Sequence, residues 1–414
     1  MNCVRVVDSV LHIEDVPLTR IAREYGTPCY VYSKAQLQST YAELAAAFKN
    51  LDTLICYAVK ANSNLAVLNL FARLGAGFDI VSGGELERVI AAGGDPGKTV
   101  FSGVGKSASE IRLGLERKIL CFNIESEDEL FRIDDLARAA NLRAPISFRV
   151  NPDVDAKTHP YIATGLKSNK FGVAYADARA LYRKAQSLGY VDIRGIDCHI
   201  GSQITELAPF ADAIDKLLVL VDQLGEDGIA LDHIDIGGGL GIRYNDEQPP
   251  SFADYARVVE QRFAVRKAKL LLEPGRALVG NAGVLLTRVE YLKRGAEKNF
   301  AIVDAGMNDL MRPALYDAYH QIVAVAARRQ AEILYDVVGP VCESGDFFAR
   351  DRLLAIEQND LLAILSAGAY GMSMASHYNT RPAPSEVIVD GNDIYEIRPR
   401  EKISELFSSE KLLP

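Results

Sequence analysis

The stretch Leu54-Ile55-Cys56-Tyr57-Ala58-Val59-Lys60-Ala61-Asn62 carries a run of apolar residues into a lysine. An apolar run of this length predicts a buried β-strand, which places Lys60 at the strand end. Burial disfavours an ammonium ion and lowers the pKa of the amine, and a free amine can attack an aldehyde to form a Schiff base. The alternative is a structural lysine whose stem lies on the protein while its charge reaches water.

The pattern of strand followed by helix extends on both sides of this stretch. Between about Pro28 and Gly275, short apolar runs alternate with amphipathic segments, which is typical of βα units around a parallel sheet. The predicted strands are Leu54–Val59, Gly77–Val81, Thr99–Phe101, Leu120–Ile124, Ile146–Val150, Gly195–His199, His233–Ile236 and Leu270–Glu273. The predicted helices include Lys34–Phe48, Asn64–Leu74, Gly83–Ala92, Ala108–Arg117, Glu127–Ala140 and Ala208–Leu224. Such units predict an α/β fold, a TIM-like (β/α)8 barrel with its chemistry at the strand ends.

After Gly275 the sequence changes to Val- and Ile-rich runs without helices of similar size between them. These runs are Val284–Leu292, Phe300–Val303, Glu332–Val338, Leu361–Ile364 and Glu386–Val389. They predict an all-β domain of the β-sandwich or Greek-key type. Cys3–Ile13 alternates like a strand and no helix follows it, so we expect it to join that domain. The expected division is therefore residues 1–27 with the β domain, 28–275 as the barrel and 276–414 as the β domain.

Composition excludes several classes of protein. The 414 residues are 49% hydrophobic and 24% charged, which is typical of a globular protein. The net charge of −9 argues against nucleic acid or an anionic membrane as a partner. No apolar stretch reaches the length of a membrane span, and the N-terminal residues lack the apolar core of a secretory signal.

The cysteines indicate a reducing compartment. Six are present, far apart and without a Cys-x-x-Cys pair, at positions Cys3, Cys29, Cys56, Cys121, Cys198 and Cys342. This spacing disfavours both a disulfide framework and a zinc site. We therefore expect a cytoplasmic protein without a metal site.

A glycine-rich loop follows the seventh predicted strand. Its sequence is Gly237-Gly238-Gly239-Leu240-Gly241, directly after Asp235-Ile236. Bare backbone N–H groups there can approach a phosphate, helped by the positive end of the next helix. A glycine run alone can also mark an ordinary turn. In a barrel, however, the loops after the last strands often hold phosphate.

Two further strand ends carry ionisable side chains. The eighth strand ends in Glu273-Pro274-Gly275-Arg276, where a carboxylate can keep a ring nitrogen protonated and an arginine can bind a carboxylate or phosphate. The sixth ends in His199-Ile200-Gly201-Ser202-Gln203, which offers an imidazole for stacking and a hydroxyl for phosphate. The alternatives are a structural ion pair and a core histidine. With Lys60, the whole set indicates pyridoxal phosphate as the aldehyde.

Taken together, these motifs resemble the fold-type III pyridoxal phosphate-dependent decarboxylases, over nearly the whole chain. The further motifs are Gly77-Phe78-Asp79-Ile80-Val81-Ser82-Gly83-Gly84-Glu85, Arg149-Val150-Asn151-Pro152, His159-Pro160-Tyr161-Ile162-Ala163-Thr164-Gly165 leading to Lys170-Phe171-Gly172, the segment from Met307 to Tyr316, Gly339-Pro340-Val341-Cys342-Glu343-Ser344-Gly345-Asp346 and Gly368-Ala369-Tyr370-Gly371. So many long motifs in order make the resemblance specific.

The resemblance implies roles around the cofactor. Lys60 would hold pyridoxal phosphate covalently, His199 would stack on its ring and Glu273 would contact the pyridine nitrogen. The phosphate would be held by Ser202, Gly238, Gly239, Arg276 and Tyr370, and the cofactor site would include Asp79 and Gly275.

The resemblance also implies a substrate, meso-2,6-diaminopimelate, which would lose carbon dioxide to give L-lysine in the last step of lysine biosynthesis. The residues expected to bind it are Arg276, Arg312, Tyr316, Glu343 and Tyr370. Arginines and a phenol suit its distal carboxylate, and Glu343 suits its distal ammonium. Cys342 would donate a proton from the partner subunit, which implies a homodimer with shared active sites. Buried packing is the alternative for a free cysteine.

Three other functions stay open at this stage. A related decarboxylase on the same scaffold would act on ornithine, arginine or a carboxylated polyamine, whose recognition does not need Arg312. A racemase on a similar barrel would place arginine beside the ring nitrogen, and Glu273 argues against that. A catalytically silent cofactor-binding protein would not need Lys60, Cys342 and Glu343 together.

Overall fold

The fold was analysed in a computed structural model that describes residues 3–155, 169–264 and 266–414. Two units make up the chain. The barrel unit comprises Thr40–Ile242 and Gln248–Ala277, and the β unit comprises Met1–Ser39, Arg243–Glu247 and Leu278–Pro414.

The strands in chain order are β1 Val4–Val7, β2 Val10–Ile13, β3 Val16–Pro17, β4 Cys29–Ser33, β5 Thr53–Ala58, β6 Gly77–Ile80, β7 Thr99–Phe101, β8 Cys121–Ile124, β9 Ala144–Asn151, β10 Val173–Ala174, β11 Val191–Asp197, β12 His233–Asp235, β13 Lys269–Leu272, β14 Gly283–Arg294, β15 Asn299–Val303, β16 Ile322–Ala324, β17 Ile333–Val338, β18 Phe347–Leu354, β19 Leu361–Ile364, β20 Ser385–Asp390 and β21 Asp393–Arg398. The α-helices are α1 Leu18–Tyr25, α2 Lys34–Ala47, α3 Leu65–Arg73, α4 Gly83–Ala91, α5 Ala108–Arg117, α6 Glu127–Ala139, α7 Tyr175–Gln186, α8 Ala208–Glu226, α9 Phe252–Phe263, α10 Arg276–Val279, α11 Arg312–Tyr316 and α12 Ile403–Leu406.

Eight parallel strands close into the barrel. Their order is β5-β6-β7-β8-β9-β11-β12-β13, and pairing of β13 with β5 completes the ring. The short strand β10 pairs with β9 outside this ring. All eight strands predicted from the sequence are present, so the (β/α)8 prediction is confirmed.

Polar residues at helix starts direct the chain from each strand into the following helix. The side chains of Ser82, Ser107 and Ser126 accept hydrogen bonds from backbone N–H groups in the first turns of α4, α5 and α6. Such caps satisfy N–H groups that have no partner within the helix. The loops between strand end and cap are therefore short and well defined.

Apolar side chains fill the barrel interior at one level. Cys56, Val100, Cys121 and Leu271 come from four different strands and are completely buried against one another. This layer makes the barrel a packed core rather than a channel, and it leaves the carboxyl ends of the strands for chemistry.

The β unit is built on a mixed sheet. Its main path runs β18-β17-β15-β14-β4-β20-β21, with β19 beside β14 and β16 beside β19. β4 lies beyond the expected boundary at Pro28, yet it pairs antiparallel with β14 and parallel with β20. All five residues of β4 are buried, which explains why its sequence resembles that of a barrel strand.

The N-terminal segment joins the β unit, although it forms a hairpin rather than one strand. β1 and β2 pair antiparallel around Asp8 and Ser9, whose φ angles of 48° and 64° are those of a tight hairpin turn. The amide of Leu11 donates to the carbonyl of Val325 at 2.7 Å and fixes the hairpin on the unit. Among the residues described, no helix combines the length and hydropathy needed to span a bilayer.

Gly195 tests how tightly two neighbouring barrel strands pack. A Cβ atom at Gly195 on β11 would overlap the imidazole of buried His233 on β12. Gly195→Ala is expected to destabilise the protein by about 1–3 kcal/mol, because the ring has to move within a packed layer. Denaturant unfolding measures this difference. Gly189→Ala is the matched control, because a Cβ atom there meets nothing within 4 Å, and an equal loss in both variants would contradict the prediction.

Candidate active site

Lys60 lies in a 3-10 turn, Val59–Ala61, directly after β5. The turn is held by the hydroxyl of Tyr57, which donates to the carbonyl of Asn62 at 2.9 Å, and by Asn64, which caps α3. The ammonium of Lys60 pairs with the carboxylate of Asp79. The side chain of Lys60 is 37% exposed, whereas that of Asp79 is completely buried. The reactive end of the lysine therefore lies at the boundary between the barrel and its opening.

Asp79 is supplied by the adjacent strand. It lies on β6 as the pairing partner of Ala58, and its Oδ1 atom has no hydrogen-bond partner among the residues that the structure describes. Glu85, at the start of α4, accepts a hydrogen bond from the amide of Val81 at 2.7 Å. Burial raises the pKa of Glu85 to about 6, partly offset by that hydrogen bond and by the charge of Lys60. The lysine thus lies in a strongly acidic environment.

The glycine loop packs between the ends of β11 and β13. The amide of Gly237 donates to Oδ1 of Asp235 at 2.8 Å, and its carbonyl accepts from the amide of Glu273 at 2.8 Å. A Cβ atom at Gly238 would overlap the carbonyl oxygen of Glu273, and Gly239 has a φ of 106°. Both observations explain the glycines by close backbone approach and by a left-handed conformation.

The amide of Gly238 donates to Nδ1 of His199 at 3.2 Å. Burial lowers the pKa of His199 well below its ordinary value, and the charges of Arg149 and Lys60 lower it further. The imidazole is therefore neutral and carries its proton on Nε2. The amide expected to bind phosphate is directed at His199 here, so a phosphate role for Gly238 stays a prediction.

Arg276 and Ser202 form the cationic side of the site. Nε and Nη2 of Arg276 donate to the hydroxyl of Ser202 at 3.3 and 3.1 Å. Arg276 is only 6% exposed and lies at the start of α10, directly after Gly275. A buried guanidinium fork beside a hydroxyl suits a phosphate or carboxylate.

Three buried carboxyl groups meet at the ends of β11, β12 and β13. Oxygen atoms of Asp197, Asp235 and Glu273 all lie within 4.8 Å of one another. Both oxygens of Asp197 and the Oδ2 atom of Asp235 have no hydrogen-bond partner among the described residues. Burial, with the charge of Asp79, raises the pKa of Asp235 to about 7. Burial, with the charge of Asp235, raises the pKa values of Asp197 and Glu273 well above their ordinary values. The trio therefore retains protons at neutral pH, and shared protons would satisfy the oxygens that have no partner.

Two nearby cations lower the pKa values of members of this trio. Lys60 lowers the pKa of Glu273, and Arg149 lowers that of Asp197. Arg149 is buried and donates to Glu125 at 3.4 Å. Glu273 also accepts a hydrogen bond from Ser102 at 3.4 Å. Lys60 thus partly offsets the rise in the pKa of Glu273 that burial and the charge of Asp235 cause.

The remaining predicted residues belong to the β unit. Arg312 opens the short helix α11, is buried, and contacts His320 and the ring of Tyr244. Tyr316, at the other end of α11, is half-buried. Tyr370 has a φ of 54°, which is uncommon for a bulky residue and typical of strained functional positions.

Cys342 and Glu343 are exposed on a loop of the β unit. The loop is fixed by buried Asp346, whose carboxylate accepts from the amides of Val341 at 2.7 Å and Met307 at 2.6 Å. The amide of Cys342 donates to the side chain of Asn379 at 2.8 Å. The thiol is thus held on an ordered support at the protein surface.

The barrel brings together Lys60, Asp79, His199, Ser202, Gly238, Gly239, Glu273, Gly275 and Arg276, as the sequence predicted for one end of a barrel. The sequence analysis did not assign Asp197, Asp235 or Arg149 to the site. A signal was available, because Asp197 and Asp235 lie two residues before His199 and Gly237 and so share a strand face with them. The motif from His159 to Gly165 lies outside the described residues.

These donors match the parts of a phosphorylated aromatic aldehyde. Lys60 suits the aldehyde, Glu273 a protonated ring nitrogen, and Arg276 with Ser202 the phosphate. The buried Oδ1 atom of Asp79, which has no partner within the described part of the chain, belongs to the carboxylate that pairs with the amine that would be attached. The residues therefore fit pyridoxal phosphate.

The chain is similar to known proteins over nearly its whole length. A sequence profile for the pyridoxal-dependent decarboxylase, pyridoxal binding domain, matches residues 34–280. The chain is 57% identical to diaminopimelate decarboxylase from Pseudomonas aeruginosa over 407 residues, which cover 98% of both chains. It is 55% identical to the enzyme from Vibrio cholerae over 408 residues, again 98% of both.

Solved structures agree with these sequence relatives. Diaminopimelate decarboxylase from Helicobacter pylori complexed with L-lysine has a TM-score of 0.92 at 42% identity, covering 95% of this chain and 99% of that one. The enzyme from M. jannaschii in co-complex with L-lysine has a TM-score of 0.95 at 39% identity, covering 99% of this chain and 98% of that one.

Replacing Asp235 tests whether the carboxyl trio holds protons. The pKa of Asp235 is raised from 3.8 to about 7 in the folded protein, so its protonated form favours folding at low pH and this contribution is lost as the pH rises through 7. Asparagine imitates the protonated form and keeps an oxygen for the amide of Gly237. The melting temperature of Asp235→Asn apoenzyme minus that of the unmodified apoenzyme should therefore increase between about pH 5 and about pH 8.

Differential scanning fluorimetry measures this difference. Asp212→Asn, at an exposed position on α8, is the control and should show no such trend. A difference that is constant or falls with pH would mean that the trio is ionised throughout.

Proposed function

Because this chain belongs to the family of pyridoxal-dependent decarboxylases, we propose which of its residues perform each part of the decarboxylation of diaminopimelate. The reaction is the decarboxylation of meso-2,6-diaminopimelate to L-lysine and carbon dioxide, and the chain's high identity to diaminopimelate decarboxylases over nearly its whole length establishes it. The observation that carries the residue assignments is the placement of Lys60, paired with Asp79, at the same barrel end as Glu273 and Arg276.

Pyridoxal phosphate, when bound, supplies a sink for the electrons left behind by carbon dioxide. Lys60 is the residue that attaches it, and Asp79 orients the amine. Ser202, Arg276 and the amides around Gly238 and Gly239 bind the phosphate, with Tyr370 and Gly275 completing the site. Arg276 and Ser202 support this assignment most directly, because the hydrogen bonds between them bring a cation and a hydroxyl group close together.

Glu273 would accept a hydrogen bond from the protonated ring nitrogen and so keep that nitrogen protonated. Lys60 partly offsets the burial that raises the pKa of Glu273, and the positive charge of a protonated ring nitrogen would favour the ionised carboxylate further. An ionised carboxylate in a buried site holds that proton far more strongly than it would in water. The neutral imidazole of His199 suits stacking on an aromatic ring.

The substrate is a diamino diacid, so both ends have to be recognised. We assign its distal carboxylate to Arg312, with Arg276 and Tyr316, and its distal ammonium to Glu343, with Tyr370 as a further contact. A guanidinium on the rigid start of α11 suits a planar carboxylate. The D-configured centre, whose carboxylate leaves, would then be oriented at Lys60 by recognition of the far end.

Cys342 is assigned as the proton donor to the carbon that loses carbon dioxide, acting in the partner subunit of a homodimer. Its exposure on an ordered loop supports this role, since a thiol that serves a second chain has to reach the surface. Lys60 is the alternative donor once its amine is released. Catalysis would then require residues from both subunits.

We also place the enzyme in the cytoplasm. All six cysteines are unpaired and five are wholly or partly buried, which is typical of proteins in a reducing compartment. The relatives from Pseudomonas aeruginosa and Vibrio cholerae are both named diaminopimelate decarboxylase, which is a biosynthetic enzyme.

The rival activities are less well supported. A decarboxylase for ornithine, arginine or a carboxylated polyamine would not need a distal carboxylate site, whereas Arg312 is buried and held by its neighbours. Carbon dioxide release from meso-diaminopimelate, compared with release from those substrates, distinguishes the activities. A racemase is disfavoured because Glu273, an acid, occupies the ring-nitrogen position, and detectable turnover would exclude a silent binding protein.

Lys60→Ala is expected to abolish turnover and the visible absorbance of covalently attached pyridoxal phosphate, because no other amine occupies its place at the end of β5. Absorbance spectra and carbon dioxide release measure the two effects. Lys98→Ala, which removes an exposed lysine of the same barrel unit, is the control and should keep both signals. A Lys60→Ala protein that retains colour and turnover would refute the assignment.

Mixed dimers test whether two chains share each site. Lys60→Ala and Cys342→Ala homodimers should each be nearly inactive. Dissociation, mixing and reassembly should restore about a quarter of the wild-type activity, since about half of the dimers are mixed and each mixed dimer has one site with both residues. If mixing restores nothing while Cys342→Ala alone is inactive, Cys342 serves its own chain.

A further inference from the structure

We infer that His320 is the positioning residue that fixes Arg312 for the distal carboxylate of the substrate, so that it determines selectivity for diamino acids over simple diamines. This inference rests on the role proposed above for Arg312. The residues concerned, Arg312, His320 and Tyr244, all belong to the β unit and are called the Arg312 cluster below.

The central contact of the Arg312 cluster joins two buried side chains. Nη1 of Arg312 lies 2.9 Å from Nε2 of His320. His320 is completely buried and Arg312 is 5% exposed. They lie eight positions apart in the sequence, and the short helix α11 ends between them. Their contact therefore does not arise from neighbouring turns of one helix.

The second nitrogen of His320 determines the direction of this hydrogen bond. Nδ1 lies 2.8 Å from the carbonyl oxygen of Leu365. A carbonyl only accepts, so Nδ1 carries the proton, and Nε2 of a neutral ring then presents a lone pair. Arg312 is the donor to that lone pair. A protonated imidazole would direct an N–H group at a guanidinium, so the geometry requires neutral His320.

Tyr244 holds the guanidinium from a second side. The guanidinium carbon of Arg312 lies 4.7 Å from the centre of the Tyr244 ring, which is the arrangement of a cation–π contact. The rings of Tyr244 and His320 meet edge to face, 5.2 Å apart at 78°. A hydrogen bond and an aromatic face together restrict both the position and the plane of the guanidinium.

The sheet of the β unit supports the cluster. His320 precedes β16, which pairs with β19, and Leu365 follows β19 directly. The amide of Leu365 also donates to the carbonyl of Gln321 at 2.8 Å. The imidazole is thus tied to two neighbouring strands, and a rigid support of this kind preserves the orientation of a binding group.

Arginine has many rotamers, and an unrestrained arginine loses that freedom when a ligand binds. Prior fixation by His320 and Tyr244 reduces this loss and holds the guanidinium in one position and one plane. The benefit applies to a ligand with a carboxylate there and not to one without it. L-lysine and cadaverine differ by that carboxylate alone, so their relative affinities report the effect.

The test uses the holoenzyme and two replacements of His320. In His320→Asn the side-chain amide can still donate to Leu365 but is too short to reach Arg312. In His320→Gln the longer side chain can place its carbonyl oxygen near the former Nε2 atom and accept from Arg312. We expect His320→Asn to raise the inhibition constant of L-lysine by about tenfold or more while changing that of cadaverine by about twofold or less.

His320→Gln should recover most of the affinity for L-lysine, and KM for meso-diaminopimelate should follow the inhibition constant of L-lysine more closely than kcat does. A general loss of structure would weaken both inhibitors and would not be reversed by glutamine. His377→Asn, at an exposed histidine of the same unit paired with Glu401, is the control and should change neither constant.

Arg312→Ala separates failure of this inference from failure of the underlying role. If Arg312→Ala keeps the preference for L-lysine over cadaverine, the proposed role of Arg312 is wrong. If Arg312→Ala loses that preference and His320→Asn keeps it, only the positioning role of His320 is wrong. Should His320→Asn not fold, His320→Leu decides, since it also removes the acceptor for Arg312, and an unchanged preference there overturns the inference.

Discussion

The site depends on a balance of charge inside the barrel. Asp79, Asp197, Asp235 and Glu273 are all buried at one end of the strands, and only Lys60 and Arg149 oppose them there among the described ion pairs and electrostatic partners. Such a group cannot ionise completely in a medium of low dielectric constant, so some of its members keep protons. Lys60 forms an ion pair with Asp79 and lowers the pKa of Glu273. The lysine therefore organises the site before it takes part in chemistry.

Much of the barrel could be predicted because its signals are local. Leu54–Val59 and the other apolar runs end where the strands end, and serine caps mark where α4, α5 and α6 begin. Parallel strands bring their carboxyl ends together, so Lys60, Glu273 and the glycine loop could be grouped without coordinates. The charge of each group could not be predicted, because protonation depends on distances between strands far apart in sequence.

The β unit shows where sequence patterns fall short. β4 is buried on both faces and resembles a barrel strand, although it pairs with β14 and β20. The sequence predicts one strand over Cys3–Ile13, whereas the structure forms the hairpin of β1 and β2, because Asp8 and Ser9 are a weaker turn signal than Asn-Gly. His320 gave no signal either, since its contacts with Arg312 and Leu365 arise only when β16 and β19 pair.

A neutral histidine is a suitable support for an arginine that has to bind a carboxylate. A glutamate or aspartate in its place would orient the guanidinium more strongly, but it would neutralise the charge and compete with the substrate for the same N–H groups. The imidazole accepts one N–H of Arg312 without altering its charge, and the carbonyl of Leu365 holds the ring in the tautomer that accepts. The barrel and the β unit thus surround their cations with different kinds of partner. Around Lys60, carboxylates hold a cation that reacts, whereas around Arg312 an uncharged ring holds a cation that binds.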